Sequence, residues 1–125
     1  MNCLVDTHIF IWSLNSSRKL SNKAQKILKD PDNNIYVSTA SLWEISIKNT
    51  AGKLSLKTTL AEMVSLSGFE VIPIMLSHVL QIGKLPLYHK DPFDRMLIAQ
   101  TNSEGLTLIT ADTKIWKYKA PLIKA

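Results

Sequence analysis

Short apolar segments alternate with helix-like segments along the chain, and this alternation limits the fold more than any other feature of the sequence. The short segments are too brief for helices and are bounded by turn or capping residues, so they are predicted strands: NCLV, NIYVS, FEVIPI, LTLIT and a possible edge strand PLIK. Helices are predicted between them. Strand–helix alternation predicts an α/β fold, a three-layer α/β/α sandwich with a central, mostly parallel sheet of short strands.

Capping residues mark the ends of the predicted helices. The expected N-caps are Asp6, Ser21 and Asp91, and the expected helix stops are Gly52, Gly68 and Gly105. Pro92 fits the first position of a helix that starts at Asp91. Ser41 and Glu44 form a Ser-x-x-Glu pair, which is typical of a capping box.

Four carboxylates recur where predicted strands end or where the following helices begin. Asp6 follows the first strand, and Asp112 follows LTLIT; Glu44 and Asp94 lie on the first turns of helices. Each has a structural explanation by itself, as a cap, a charge near the helix dipole or a turn residue. However, the carboxyl ends of parallel strands open into one crevice, which predicts that all four acids converge there.

A cluster of carboxylates in one crevice predicts a divalent cation, because unneutralised acids repel one another. Oxygen ligands suit Mg²⁺ or Mn²⁺, whereas the scattered positions of His8, His78, His89 and Cys3 offer no zinc set. The chain has 15 Lys plus Arg against 10 Asp plus Glu and a net charge of +5, which is compatible with a nucleic acid partner. Together these features predict metal-dependent hydrolysis of phosphodiester bonds.

The remaining bulk features suit a cytoplasmic protein with one domain that covers residues 1–125. Cys3 is the only cysteine, so an internal disulfide is excluded and a reducing compartment is favoured. The apolar N-terminal segment lacks a basic start and contains Asp6 and His8, so it is not predicted to be a signal peptide. No apolar run is long enough to span a membrane.

Four segments of the sequence resemble the PIN-domain toxins, in particular a VapC-like group with the motif HxDPFDR. The segments are LVDTHIFIW, VSTASLWEISIK, KDPFDRMLIAQ and LTLITADTKIWKY, and they cover the chain from end to end. The resemblance implies a PIN-like fold and a metal-dependent ribonuclease that is the toxin of a type II toxin–antitoxin pair. It also implies an antitoxin partner and a homodimer.

Carried over by position, the resemblance implies catalytic and metal-binding roles for Asp6, Glu44, Asp94 and Asp112. Within DPFDR, Asp94 matches the third acid of the family, and Asp91 keeps its role as the N-cap.

Residues around the four acids are candidates for substrate contacts. Thr7 is expected to orient Asp6, and Thr110 to contact a phosphate or a water. Lys48 and Arg95 are expected to meet RNA phosphates, with a solvated helix face or an ion pair as the alternative. Three tryptophans are candidates for stacking on bases, namely Trp12, Trp43 and Trp116, although core packing is favoured for Trp43.

Two other functions stay open from the residues. A receiver domain that is phosphorylated on aspartate also has an α/β fold, but it needs an acidic pair after the first strand, where only Asp6 is present. A non-catalytic module that binds RNA or a protein would not need the complete set of acids.

Overall fold

Five parallel strands form a single sheet in the computed structural model, which describes residues 1–125. The strands are β1 (Asn2–Val5), β2 (Asn34–Ser38), β3 (Glu70–Ile72), β4 (Thr107–Thr110) and β5 (Leu122–Lys124). Their order across the sheet is β3-β2-β1-β4-β5, and every neighbouring pair is parallel. The predicted α/β class is therefore confirmed, and the predicted edge strand is β5.

Six helices connect the strands. They are α1 (Thr7–Asn15), α2 (Asn22–Lys29), α3 (Thr39–Thr50), α4 (Leu60–Ser67), α5 (Leu76–Ile82) and α6 (Pro92–Glu104), with short 3₁₀ turns at Ser17–Lys19 and Ile115–Lys117. The predicted caps Asp6, Ser21 and Asp91 each accept a hydrogen bond from the first turn of their helix. Gly68 and Gly105 end α4 and α6 with φ near +68° and +66°, a conformation that glycine adopts without strain.

The core lies on both faces of the sheet, as expected of three layers. Cys3 and Val5 of β1 pack with residues of α1, α2 and α4, whereas Leu4 between them packs with residues of α6. Because side chains alternate across a strand, a strand that is covered on both faces must be apolar at every position. This explains the continuous apolar run of Cys3, Leu4 and Val5, whereas Asn2 at the start of β1 is exposed.

The strand order places a topological switch point between β1 and β4. From β1 the chain moves to β2 and β3 on one side, and from β4 it moves to β5 on the other side. The connections that leave β1 and β4 therefore diverge, which opens a crevice at the carboxyl ends of these two strands. Asp6 directly follows β1 at this crevice, and Thr110 is the last residue of β4.

The predicted capping box of Ser41 and Glu44 is wrong. Helix α3 begins at Thr39, and the side chain of Ser38 accepts a hydrogen bond of 3.0 Å from the backbone N–H of Ala40. Ser41 is buried, and its hydroxyl has no hydrogen-bond partner. Glu44 is therefore not needed for capping, and its carboxylate is available for another role. The same helix ends at Thr50, two residues before the predicted stop.

Candidate active site

Asp6 both caps α1 and faces the crevice. Its Oδ1 accepts a hydrogen bond of 2.8 Å from the backbone N–H of Ile9, and its Oδ2 accepts one of 2.5 Å from the hydroxyl of Thr110. The side chain is buried, and this burial raises the pKa of the carboxyl, while the bond from Thr110 opposes the rise. Capping uses one oxygen, and the other is held by a residue at the end of β4.

Glu44 lies on the second turn of α3, where its carboxylate meets two donors. Thr7 Oγ1 donates to Oε1 at 2.6 Å, and Lys48 Nζ lies 2.7 Å from Oε2. Thr7 therefore orients Glu44, whereas it was predicted to orient Asp6. The bond to Glu44 raises the pKa of Lys48, so this ammonium is held in its charged form beside the carboxylate.

Asp91 and Asp94 have separate tasks at the start of α6. Oδ1 of Asp91 accepts hydrogen bonds from the backbone N–H groups of Phe93 and Asp94, at 2.9 and 3.0 Å. The carboxylate of Asp94 takes no part in this cap. Burial, and next the charge of Asp91, raise the pKa of Asp94 to about 7, while the hydrogen bond with His89 lowers it and the charge of Asp6 raises it.

Asp112 follows β4 and completes the group. Its Oδ1 accepts a hydrogen bond of 2.8 Å from the backbone N–H of Lys114, and its own N–H donates to Thr110 Oγ1 at 3.0 Å. Its charge also contributes to the raised pKa of Asp6. The charge of Asp6 in turn raises the pKa of Asp94. Asp112 and Asp94 therefore each lie close enough to Asp6 for their carboxylates to repel it.

His89 is a site residue that the sequence reasoning missed. It lies in the loop between α5 and α6, and its Nε2 is 2.7 Å from Oδ2 of Asp94 and 3.3 Å from Oδ2 of Asp112. Only 10% of its side chain is exposed. The sequence did contain a signal for His89, because the first letter of the HxDPFDR motif is a histidine five residues before Asp94.

Two side chains near the acids have contacts that the sequence did not predict. The guanidinium of Arg95 donates to the carbonyl of Ile82 at the end of α5, to two carbonyls of the α5–α6 loop and to the hydroxyl of Tyr118. Its predicted contact with RNA phosphates stays a prediction. Trp43 is 60% exposed, so the prediction that it packs in the core is wrong. It lies edge-on against Phe93, with 5.3 Å between the ring centroids.

The family model of the PIN domain matches residues 3–120 of the sequence. The chain belongs to the PIN-domain family. This membership confirms the resemblance drawn from the four segments, and it argues against the receiver-domain interpretation.

Several solved structures share the fold of this PIN domain. VapBC2 from Rickettsia felis, bound to a DNA fragment from their promoter, matches with a TM-score of 0.74 and 19% identity, over 99% of this chain and 98% of that chain. VapBC-1 from nontypeable Haemophilus influenzae matches with a TM-score of 0.68 and 16% identity, over 99% and 98% of the two chains. DNA-bound VapBC from Salmonella typhimurium matches with a TM-score of 0.69 and 14% identity, over the same shares. At these identities the likeness establishes the fold.

Among curated proteins, none matches the sequence significantly. None of the helices of the PIN domain has both the length and the apolar character that crossing a membrane requires.

The donor set of the PIN domain fits a divalent cation. Asp94, Asp112 and His89 each place one potential ligand atom within 4.8 Å of the other two. Burial is the main cause of the raised pKa values of Asp6 and Asp94, and the charges of Asp112 and Asp91, respectively, add to it; a cation would relieve this repulsion. A site in which carboxylate oxygens prevail suits Mg²⁺ or Mn²⁺ better than zinc.

Proposed function

We propose that residues 1–125 form a single PIN domain that is a metal-dependent endoribonuclease, the cytoplasmic toxin of a type II toxin–antitoxin system. The observation that carries the proposal is the gathering of acids at the switch point of the sheet. Asp6 and Asp112 come from the ends of β1 and β4, Asp94 comes from α6, and Glu44 is tied to the same place by Thr7 and Lys48. Asp6 acts electrostatically with Asp112 and Asp94, and Lys48, which binds Glu44, feels the charge of Asp94. This supports one shared site at the edge where α/β sheets bind their ligands.

Each acid has an assigned role in the proposed reaction. Asp6, Glu44, Asp94 and Asp112 would hold Mg²⁺ or Mn²⁺, which, when bound, lowers the pKa of a water and neutralises the phosphate under attack. Thr110 and Thr7 fix the carboxylates of Asp6 and Glu44 by donating hydrogen bonds. Hydroxyl donors of this kind keep the ligands oriented, which raises the affinity of a site for its ion.

Lysines beside the acids support RNA as the substrate. A groove next to Glu44 is lined by Lys19, Lys48 and Lys53 together with Trp12; Lys48 is paired with Glu44, whereas Lys19 and Lys53 meet no carboxylate of the lining. The ammonium of Lys19 lies 5.6 Å from the ring centroid of Trp12. Lysines attract the phosphates of a nucleic acid, and an aromatic ring offers a stacking surface for an unpaired base.

The partners are proposed from the solved relatives and from one apolar surface. One structure that shares this fold is named a toxin–antitoxin complex from Klebsiella pneumoniae, and another a member of the VapBC family of toxin–antitoxin systems, which supports an antitoxin for this chain. Helix α5 exposes Leu76, Val79 and Leu80, whose exposed fractions are 72%, 51% and 64%. Such a concentration of exposed apolar side chains is typical of an interface and supports a homodimer.

A cleavage assay with controlled metal tests the proposed activity. The purified protein is incubated with single-stranded RNA in Mg²⁺ or Mn²⁺, in excess EDTA, and in EDTA followed by an excess of metal. We expect cleavage that stops in EDTA and returns with the metal, and an inactive Asp6→Asn variant. Cleavage that persists in the chelator would contradict the mechanism. RNA that is bound but left intact in both ions would support the non-catalytic binding module instead.

The toxin role has its own test, because a ribonuclease need not be a toxin. Induction of the protein should arrest growth, and coexpression of a small DNA-binding protein encoded directly upstream should relieve the arrest. Equal arrest by the wild type and by Asp6→Asn would show that the effect does not depend on the acids.

A further inference from the structure

The α5–α6 loop carries a nitrogen ligand into a site that otherwise consists of carboxylates. Nε2 of His89 faces Asp94 and Asp112, and the three potential ligand atoms lie within 4.8 Å of one another. Ligands that bind one ion with bonds of about 2.1–2.2 Å are roughly 3.0 Å apart when adjacent and roughly 4.3 Å apart when opposite. The spacings of 2.7 and 3.3 Å between Nε2 and the two carboxylates match adjacent ligands of a single ion.

A clamp holds the backbone of His89 at both of its polar groups. Its N–H donates to the hydroxyl of Tyr118 at 3.0 Å, and its carbonyl accepts from Nη1 of Arg95 at 3.4 Å. Arg95 also donates to three other acceptors, namely Pro86 O at 3.0 Å, Ile82 O at 3.1 Å and Tyr118 Oη at 3.2 Å. Tyr118 itself is buried. A loop without regular structure is thus fixed where it enters the site.

This use of Arg95 differs from a phosphate contact. Its two terminal nitrogens point to four acceptors that span residues 82–118, and the planar fork of a guanidinium is suited to such divergent bonds. A lysine has the same charge but a single nitrogen, so it would not reach all four acceptors.

We propose that His89 binds the metal ion through Nε2 and gives the site a preference for Mn²⁺ over Mg²⁺, and that Arg95 and Tyr118 position it. The inference rests on the proposed function, because it concerns the same ion. Nε2 lies 2.7 Å from Asp94 and 3.3 Å from Asp112; as a ligand it would offer its lone pair, and Nδ1 would carry the hydrogen of the neutral ring. Imidazole nitrogen suits first-row transition ions, whereas Mg²⁺ strongly favours oxygen ligands and water.

Metal binding without substrate tests the role of His89. Affinities for Mn²⁺ and Mg²⁺ are measured by calorimetry for the wild type, His89→Asn and His8→Asn. The control, His8→Asn, makes the same change at an exposed histidine on the first turn of α1. His8 is a matched control because its charge also influences the site, by lowering the pKa of Asp6. We expect His89→Asn to weaken Mn²⁺ binding by about tenfold and Mg²⁺ binding much less, and His8→Asn to keep the ratio of the two affinities.

Electron spin-echo spectroscopy of bound Mn²⁺ gives a direct readout of a nitrogen ligand. The wild type and His8→Asn should show nitrogen coupling, and His89→Asn should lose it. Wild-type protein that binds Mn²⁺ without nitrogen coupling, or an unchanged affinity ratio in His89→Asn, would overturn the inference and leave the proposed function intact. Wild-type protein that binds neither ion would instead overturn the proposed function.

Two further variants test the clamp. Arg95→Lys keeps the charge that a phosphate would need but loses most of the loop contacts, and Tyr118→Phe removes one hydroxyl and preserves the ring. We expect both to reduce the preference for Mn²⁺ and the nitrogen coupling, with the smaller effect in Tyr118→Phe. If both variants keep the coupling and the wild-type affinity ratio, Arg95 and Tyr118 do not position His89.

Discussion

Thr110 Oγ1 donates a hydrogen bond to Oδ2 of Asp6, which joins two residues that lie 104 positions apart in the sequence. The bond connects the ends of β1 and β4, the two central strands on either side of the switch point. The same oxygen of Thr110 accepts from the N–H of Asp112 at 3.0 Å. One hydroxyl therefore links the two acids that follow these strands, and it was expected from the sequence to contact a phosphate or a water.

The first prediction concerns this hydroxyl. Thr110→Val keeps the β-branched shape but removes the bond that stabilises the charged form of Asp6. The pKa of Asp6, already raised by burial, should rise further, so that protons compete more strongly with the metal. We expect metal affinity at neutral pH to fall by roughly 10–100-fold, measured by calorimetry. Thr107→Val, at the start of the same strand, is the control, and an equal loss there would point to a general effect on β4.

The second prediction separates the two aspartates of DPFD. Asp91→Asn should preserve the cap of α6, since asparagine caps as well as aspartate, and the lost charge should lower the pKa of Asp94. Asp94→Asn costs the first turn of α6 roughly 0.3–1 kcal/mol through the dipole. It should nevertheless lower ribonuclease activity by orders of magnitude, because an amide does not provide the charge of a metal ligand. Activity in Asp94→Asn as high as in Asp91→Asn and the wild type would show that Asp94 is a helix residue and not part of the active site.

Substitutions of the other three acids should lower ribonuclease activity to different extents. We expect Asp6→Asn to behave like Asp94→Asn, and Glu44→Gln and Asp112→Asn to lose less activity. The melting temperatures of metal-free Asp6→Asn and Asp112→Asn should equal or exceed that of the wild type, since one repelling charge has been removed. Glu44→Gln also loses the ion pair with Lys48, so it should melt no higher than the wild type. A variant that loses both activity and stability would be damaged in its fold, so its activity would not inform on the metal.

The third prediction concerns the homodimer. Leu80 is 64% exposed on α5, and Leu66 is 71% exposed on α4, which allows the same change to be made on two surfaces. Leu80→Glu should give a monomer by light scattering at tens of micromolar, because it places a charge in the proposed apolar interface. Leu66→Glu should remain a dimer. A monomeric wild type under these conditions would contradict the dimer itself.

Much of the site follows from local patterns in the sequence. Asp6 ends an apolar run and caps a helix, and Asp91 and Pro92 start another, so the places of Asp6 and Asp94 are determined by short-range rules. Their meeting follows from parallel topology, since the carboxyl ends of the strands share one edge. The wrong cap at Ser41 arose because both Ser38 and Ser41 are residues that favour the N-cap position and only Ser41 has a glutamate three residues later. The end of β2 places the cap at Ser38.

His89 illustrates what local patterns do not contain. The position of its imidazole depends on a loop that is held by Arg95 of α6 and by Tyr118, which follows a 3₁₀ turn near the end of the chain. No periodicity or capping rule links these residues. Trp43 is a second case, because its exposure depends on which face of α3 the sheet covers, and α3 contributes residues to both cores.

The last prediction is a dependence of metal-free stability on pH. The pKa of Asp94 is raised from 3.8 to about 7 in the folded protein, so between these two values the folded state keeps a proton that the unfolded chain releases. The contribution of Asp94 to the free energy of unfolding is fully present below pH 3.8, and it is lost as the pH rises through about 7. The loss between these limits is at most about 1.4 kcal/mol for each pH unit.

The measurement compares the wild type with Asp94→Asn in urea denaturation at several pH values, because other groups titrate in the same range. We expect the wild type to lose stability relative to the variant across this range in EDTA. Saturating Mn²⁺ should reverse the trend, since the ion binds the ionised carboxylate of the folded state. Parallel curves for the two proteins in EDTA would show that Asp94 does not hold a proton at neutral pH.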